Sequence, residues 1–405
     1  MQPVEQAVRM SFGRLVAILA SRGRDIAAAE DALADAVLAA LERWPESGVP
    51  AAPEAWLVAV ARRRLTDRFR KTAADAALEQ SLAILSDLAA ADGPESPHFP
   101  DERLQLMFVC AHPAIDPGIR APLMLQTVLG LDAARIAGAF LVSAPTMGQR
   151  LVRAKAKIRD AGIPFIVPEP PDLPERLASV LEAIYAAYGS GWDEFEGIDA
   201  GGGLAGEAIW LGRVLASLMP ADAEAHGLLA LMLYCEARRR ARRDAKGHYV
   251  PLSDQDTTLW SQPMLREAEA RLRQAAALGA PGRFQIEAAI QSAHAGARLV
   301  GAPDAHVIAR LHERLWQLAP RVGVAVARAV AVADAEGPEA GLSLLDEIDP
   351  GRVAAYQPFH AARAALLRRA GRGDEALAAY ATAIALATDP AVGAYLEQQR
   401  RLILS

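Results

Sequence analysis

The chain has 405 residues, of which 52% are apolar, 5% aromatic and 23% charged, and its formal net charge is −6. These proportions exclude a disordered chain, and an apolar fraction made mostly of Ala, Leu, Val and Ile favours helices over strands. No apolar run approaches the roughly 18 residues of a membrane span, no export signal is recognisable, and two cysteines cannot build a disulfide framework, so we expect a cytoplasmic protein.

Basic residues are concentrated in one part of this acidic chain. Residues 120–162 carry seven basic and two acidic side chains, a local charge of +5. A basic segment inside an acidic protein indicates focal contact with a polyanion rather than a general nucleic-acid coat.

Residues 1–74 predict an acidic helix followed by a basic one. Asp25 is a suitable N-cap, and apolar residues then follow the 3.6-residue helical period at Ile26, Ala29, Leu33, Val37, Leu41 and Trp44. Three carboxylates lie off this stripe and are predicted to face solvent: Glu30, Asp31 and Asp35. The segment Pro45–Pro50 is predicted to end the helix, and Pro53 to open the next one over about 54–71. The polar face of this second helix consists of Arg62, Arg63, Arg64, Arg68, Arg70 and Lys71.

The rest of the chain divides by composition. Residues 75–100 are acidic and then rich in proline, which predicts a linker. Residues 101–162 predict a second small helical domain, and the Pro-rich residues 163–174 separate it from a helical extension over 175–405. The extension ends with two partial copies of a tetratricopeptide pattern, thirty-six residues apart. The copies contain Glu339, Ala340 and Leu344, then Glu375, Ala376, Tyr380 and Ala383.

Residues 120–159 predict a helix-turn-helix. Helices are expected over 121–129 and 133–141, and Ser143 is a suitable N-cap for a third. The third helix has an apolar stripe of Met147, Leu151, Ala154 and Ile158 beside a polar row of Thr146, Gln149, Arg150, Arg153 and Lys157. A recognition helix needs this arrangement, because the stripe seats it on its partner while the long donors reach bases and phosphates. A basic amphipathic helix can equally be a solvated face, and the pattern alone leaves both interpretations open.

Together these motifs resemble bacterial sigma factors of the sigma-70 family, extracytoplasmic function (ECF) class. The helix around Ala29–Leu33 is similar to the region 2 helix that docks on the clamp helices of the RNA polymerase β′ subunit. Trp56 through Arg68 is similar to the helix that reads and melts the minus ten promoter element. Thr146–Lys155 is similar to region 4, which reads the minus thirty-five element. The resemblance is closer to a subgroup with a long tetratricopeptide-like extension, through the motifs Leu41–Pro45, Asp101–Leu104, His112–Ala114, Gly227–Met232 and Asp254–Asp256.

The resemblance implies an all-α fold. A region 2 bundle over 1–74 and a region 4 helix-turn-helix over 101–162 would precede a stacked-helix, tetratricopeptide-like domain. The factor would bind core RNA polymerase, at the β′ clamp helices and the β flap, and direct promoter-specific initiation. Its own extension would control it and would bind a protein or peptide. Glu30, Asp31 and Asp35 would contact polymerase, and the cations and polar row named above would contact promoter DNA.

Two other functions fit parts of the pattern: a tetratricopeptide-like interaction adaptor, and a one-component DNA-binding repressor. A phosphate-cradling glycine loop, a nucleophile elbow and a catalytic His pair are all missing from the sequence, so we predict no enzyme activity and no cofactor. Cys110 and His112 form the only ligand-like pair, which is too few ligands for a zinc site, and we predict no bound metal.

Overall fold

The structure is a computed structural model that describes residues 12–21, 24–75, 102–140, 142–169, 171–192, 204–301 and 304–404. Within these residues the regular structure is helical, apart from one isolated bridge between Arg243 and Tyr249. The predicted all-α fold is confirmed. The predicted linker over 75–100 lies almost entirely outside the described residues.

The chain forms two compact units, Met1–Leu218 and Met219–Ser405, called here the N-terminal and C-terminal units. The boundary falls inside the predicted extension, whose first two helices belong to the N-terminal unit; the predicted domain limits stay a prediction. The helices of the N-terminal unit are α1 (12–21), α2 (Ile26–Ser47), α3 (Pro53–Asp75), α4 (Glu102–Cys110), α5 (Pro117–Leu129), α6 (Ala133–Ala139), α7 (Ala144–Asp160), α8 (Leu173–Trp192) and α9 (Leu204–Leu218).

Helix α2 begins at the predicted N-cap and ends inside the predicted segment Pro45–Pro50. The Asp25 carboxylate accepts a hydrogen bond from the Ala28 amide at 3.0 Å, which satisfies one of the free N–H groups of the first turn. Pro45 does not end the helix, which continues to Ser47 before Gly48 turns the chain away. A proline removes only one ladder hydrogen bond, and the last turn of α2 tolerates that loss.

The predicted helix-turn-helix is present as α6 and α7. The Asp132 carboxylate accepts from the Arg135 amide at 2.8 Å, and the Ser143 hydroxyl accepts from the Thr146 amide at 3.3 Å. The apolar stripe of α7 is buried, as predicted: Met147, Leu151, Ala154 and Ile158 are at most 6% exposed. Helix α5, which precedes the helix-turn-helix, starts at Pro117 rather than at the predicted residue 121, because Asp116 caps it through the Gly118 amide.

Helices α1 and α5 approach each other so closely that only glycine fits between them. A Cβ atom on Gly13 would lie 2.1 Å from the Val128 carbonyl oxygen, well inside van der Waals contact. The predicted region 2 and the predicted region 4 therefore share one core in the N-terminal unit.

Helices α8 and α9 pack on the same core. The Arg176 guanidinium donates to the Phe108 carbonyl at 2.7 Å. The Arg103 guanidinium lies 5.6 Å from the Trp210 ring centroid, and Arg135 of α6 pairs with Glu207 at 3.7 Å. The start of the predicted extension is thus structurally part of the helix-turn-helix region.

The C-terminal unit is a series of helix pairs. Its helices are α10 (Ala223–Ala237), α11 (Gln262–Ala277), α12 (Arg283–Val300), α13 (Ala305–Leu318), α14 (Val322–Glu336), α15 (Pro338–Asp346), α16 (Pro350–Val353), α17 (Gln357–Arg369), α18 (Gly373–Ala385) and α19 (Pro390–Leu404). The pairs α14–α15 and α17–α18 bury one apolar cluster that includes Leu342, Leu366 and Tyr380.

Two long-range contacts organise this unit. The Glu224 carboxylate, on α10, accepts hydrogen bonds from the Phe284 and Gln285 amides at 2.9 Å each and so caps the start of α12. The polar segment between α10 and α11 contacts α19 and the turn before it, through the ion pair of Arg243 with Asp389 and the edge-to-face rings of Tyr249 and Tyr395, 5.4 Å apart.

Candidate functional site

The polar row of α7 faces solvent. Thr146, Gln149, Arg150, Arg153 and Lys157 are all exposed, on a face beside the buried stripe. Within the described residues, the side chains of Arg150, Arg153 and Lys157 make no ion pair or hydrogen bond. The described part of the chain therefore leaves the charge of these three cations unneutralised.

These three cations line a groove of about 500 Å³. Its other wall is the turn 114–116 and the first residues of α5, including Asp116 and Ile119. A groove with three cations on one wall can attract the phosphates of a nucleic-acid backbone. The sequence pattern identified the cations and missed the turn, whose residues carry no basic signature.

The basic face of α3 is partly described. Arg62, Arg63 and Arg64 are exposed, while the side chains of Arg68, Arg70 and Lys71 lie outside the described residues, although α3 continues through them. The Trp56 ring packs edge-to-face on Trp44, with centroids 5.5 Å apart, and Trp44 is 4% exposed. The two indoles fix the crossing of α2 and α3.

The acidic residues of α2 do not form one solvent-facing set. Asp31 and Asp35 are exposed, as predicted. Glu30 is not, because Lys155 of α7 covers it in an ion pair, and the Glu30 side chain is only 19% exposed. Burial raises the pKa of Glu30, and the neighbouring Lys155 ammonium partly offsets that rise. The prediction that Glu30 faces solvent is wrong, since the residue that covers it comes 125 positions later.

Two leucines join the exposed carboxylates on α2. Leu38 is 59% exposed and Leu41 is 39% exposed, although the helical period placed Leu41 on the buried stripe. Together with Asp31 and Asp35 they make an apolar and acidic surface, called here the α2 surface. Leu38 lies off the predicted buried stripe, so the helical period alone could have predicted that this leucine is exposed.

No group of three or more His, Cys, Asp or Glu side chains could hold a metal ion in the described ranges. The Cys110 thiol lies 3.1 Å from the Thr127 hydroxyl and is fully buried. Burial raises the pKa of this thiol to about 12, so it is protonated at neutral pH. It behaves as a small apolar residue.

The C-terminal unit has a groove of about 420 Å³ between α11 and α12. At its base the Glu269 carboxylate accepts from the Tyr234 hydroxyl at 2.6 Å and from Ser292 at 3.3 Å. These hydrogen bonds, the one from Tyr234 foremost, lower the pKa of Glu269. Leu265 and Leu299 line the apolar part of the groove.

Comparison with known proteins identifies two parts of the chain. Residues 8–74 match sigma-70 region 2, and residues 176–276 match a family of unknown function (DUF6596). An uncharacterized protein of Rhizobium meliloti (strain 1021) is 41% identical over 383 residues, which cover 93% of this chain and 90% of that protein. No solved structure matches the chain.

An all-helical chain with a sigma-70 region 2 match has the features of a sigma-70 family sigma factor, a class of transcription factor that binds RNA polymerase and recognises promoters. The chain belongs to the same family as the Rhizobium meliloti protein. Among the described helices, none is long and apolar enough to cross a membrane.

Proposed function

We propose that the protein is a sigma factor of the ECF class, which binds core RNA polymerase and directs initiation at specific promoters under the control of its own C-terminal extension. The match of residues 8–74 to region 2 carries the proposal. The exposed polar row of α7 supports it independently, because its three cations have no partner in the described chain. A factor of this kind works in the cytoplasm and needs no catalytic side chain.

The α2 surface suits a docking step on the clamp helices of the β′ subunit. Leu38 and Leu41 are exposed and can be buried in an interface, where removal of apolar surface from water favours association. Asp31 and Asp35 complement a basic partner, and such charges raise the rate of association and fix its register. Glu30 takes no part in this surface while Lys155 covers it.

The exposed arginines of α3 suit the minus ten element. Arg62, Arg63 and Arg64 can bind phosphates, and the loop 48–52 before α3 lies where an unstacked base could be held. Capture of a flipped base favours strand separation without ATP. Arg68, Arg70 and Lys71 would extend this contact along α3.

Helix α7 suits the minus thirty-five element. Thr146, Gln149 and Arg150 lie in its first two turns, where a recognition helix meets base edges, and Arg153 and Lys157 continue the row toward the backbone. The groove beside them would seat one strand. We also propose that the predicted region 4, which contains α7, makes the second polymerase contact, with the β flap.

The C-terminal helix pairs suit a regulatory role. Stacked helix pairs form surfaces that bind peptides or proteins. The groove between α11 and α12, with apolar walls and a fixed carboxylate, is the place where we propose such a ligand binds.

Co-elution with sigma-free core RNA polymerase tests the docking step. The intact chain should co-elute in size-exclusion chromatography, and Asp31→Arg with Asp35→Arg should lower the affinity at least tenfold, as expected when close interface charges are reversed. Glu347→Arg with Asp374→Arg is the matched control, since both carboxylates are exposed in the C-terminal unit. Equal co-elution of the reversed and control variants would contradict the proposed docking surface.

Arg150→Ala with Arg153→Ala separates the proposed function from its alternatives. In a first step, the complex of the wild-type chain with core polymerase selects the DNA duplexes that it binds from a random pool. The complex of the variant with core polymerase should then fail to retain those duplexes, while the variant still co-elutes with core polymerase. Loss of the phosphate contact proposed for Arg153 should reduce the salt slope by about 1. Arg310→Ala with Arg352→Ala is the control. An adaptor would show no effect, and a repressor would retain duplexes without polymerase.

A further inference from the structure

The motif that begins at His112 lies in the turn between α4 and α5, residues 111–116, called here the α4–α5 turn. The Ala114 amide donates to the Nδ1 atom of His112 at 3.1 Å, and the Ile115 amide donates to the His112 carbonyl at 2.9 Å. Burial, and after it the charges of Arg176 and Arg120, lower the pKa of His112, which favours the neutral ring whose Nδ1 can accept. The turn is thus closed by its own backbone and by one side chain.

Two arginines hold this turn from outside. The Arg120 side chain of α5 donates through Nε to the Ile115 carbonyl at 3.0 Å and through Nη2 to the Pro113 carbonyl at 3.4 Å. Arg176 of α8 donates to the Phe108 carbonyl at 2.7 Å, in the last turn of α4. Hydrogen bonds from a charged donor are stronger than neutral ones, so the guanidinium groups fix the turn and the helix end before it.

Helix α8 is connected to the α4–α5 turn through Arg120 as well. The Arg120 Nη1 atom donates to the Ser179 hydroxyl oxygen at 3.4 Å. The Ser179 hydroxyl itself donates to the Glu175 carbonyl at 3.3 Å, so its oxygen is left to accept from Arg120. Because α8 begins the predicted extension, the two arginines join the start of the extension to the turn.

The same turn is the second wall of the groove beside α7. Its residues Ala114, Ile115 and Asp116 line the groove together with the three cations of α7. Arg120 and Arg176 do not line the groove themselves. A shift of the turn would change the width of the groove, and with it the distance between a bound phosphate and the cations. The two arginines therefore act on the groove only through the turn.

We propose that Arg120 and Arg176 are positioning residues for promoter DNA: they hold the α4–α5 turn as the fixed wall of the groove, and through them α8 sets the DNA affinity of that groove. This inference rests on the proposed function for its ligand, promoter DNA. The hold on the turn is a property of the free protein. The extension would then act on promoter binding through its first helix, without a DNA contact of its own.

Amide hydrogen exchange in the full chain tests whether the arginines hold the turn. Arg120→Met keeps an unbranched side chain and removes every donor. Exchange of the Ala114 and Ile115 amides, followed in peptides that cover the turn, should become at least about tenfold faster, because hydrogen bonds from a charged group are lost. Arg176→Met should act in the same direction. Arg352→Met, at an exposed arginine of the C-terminal unit, is the matched control and should leave this exchange unchanged.

The affinity of the complex with core polymerase for the selected duplexes tests the positioning role. Arg120→Met and Arg176→Met should each weaken this affinity about two- to thirtyfold, the range found for residues that act on a site without contact to its ligand. Co-elution with core polymerase should stay unchanged. The salt slope should also stay at the wild-type value, because neither arginine neutralises a phosphate, whereas Arg153→Ala should reduce that slope by about 1.

Three further results separate positioning from a general loss of stability. Arg120→Met combined with Arg153→Ala should weaken binding by less than the product of the two separate effects, because both changes act on one groove. Arg176→Lys keeps a charged donor for the carbonyl at the end of α4 and should recover most of the affinity. His112→Asn should bind duplexes as the wild type does, since an Asn oxygen can accept from the amide two residues on, and His112→Leu should bind them more weakly.

Each arm has an outcome that contradicts the proposal. Unchanged exchange in Arg120→Met would overturn the hold on the turn. Faster exchange with unchanged duplex affinity, a reduced salt slope, or effects that multiply in the double variant would overturn the positioning role. Unchanged affinity in Arg176→Met would overturn the coupling to α8. If the wild-type complex retains no duplexes, the proposed function fails together with the positioning role, while exchange in the free protein still decides whether the arginines hold the turn.

Discussion

His312 is a buried imidazole with one unmatched nitrogen. It lies on α13, is 8% exposed, and its Nδ1 has no hydrogen-bond partner in the described part of the chain. Burial, and to a lesser extent the nearby His294, lowers the pKa of His312 to about 4. The pKa of His294 is itself lowered, chiefly by burial and then by Arg238, while Asp334 opposes the shift. The His312 ring is therefore neutral at pH 7.

This burial predicts a loss of stability in mild acid. Between about pH 6.5 and pH 4 the unfolded chain binds a proton at residue 312 that the folded chain does not, so the free energy of unfolding falls as the pH falls, by up to about 3 kcal/mol. His312→Leu should remove most of that fall, which urea unfolding at pH 7 and pH 5 would measure. His306→Gln, an exposed histidine on the same helix, is the control and should keep the wild-type dependence.

Two glycines inside helices should respond in opposite ways to a single methyl group. A Cβ atom on Gly341 of α15 would lie 2.6 Å from the Ala329 carbonyl oxygen of α14, whereas a Cβ atom on Gly148 of α7 meets nothing within 4 Å. Gly341→Ala should therefore cost about 1–3 kcal/mol through overpacking. Gly148→Ala should stabilise by about 0.5–1 kcal/mol, because alanine favours the helix.

Urea unfolding of the two glycine variants checks both signs. The pair controls itself, since the chemical change is the same and only the surroundings differ. A loss of stability in Gly148→Ala would contradict the prediction that the open space beside Gly148 lets alanine stabilise α7.

Helix α7 shows what a local pattern can predict. Its apolar residues recur with the helical period and its caps stand at the right places, so both the buried stripe and the exposed row follow from seventeen consecutive residues. Helix α2 shows the opposite case. Its own period separates stripe from surface, but it cannot reveal that Lys155 covers Glu30 or that Leu41 stays exposed. Those outcomes depend on tertiary partners that are distant in sequence.

At the scale of the whole molecule, contacts between residues distant in sequence also explain why the boundary between the two units was not predicted. The Pro-rich residues 163–174 looked like a domain junction, yet Arg176 and Glu207 beyond them bind residues before them. Composition indicates where a chain is easily bent, and packing decides where a compact unit ends. The groove beside α7 was missed for a similar cause, because the turn that forms its second wall carries no basic residue.

Truncation should distinguish the two boundaries. A fragment of residues 1–218 keeps α8 and α9, and we expect cooperative urea unfolding. A fragment of residues 1–165 uncovers the α5 face that α8 covers and loses Arg135–Glu207, so it should unfold at lower urea or fail to fold. Circular dichroism during the titration measures the difference. Equal midpoints would mean that α8 and α9 contribute nothing to the stability of the N-terminal unit.

The carboxylate of Glu224 gives the C-terminal unit an order of assembly. It caps α12 from a position 60 residues earlier in the chain, in place of a capping side chain next to that helix. During synthesis the ribosome therefore releases the cap well before the amides that need it, and α12 can be completed as soon as it emerges. A circular permutant that starts at Arg283 would reverse this order, and its α12 would have to wait for α10 at the far end of the new chain.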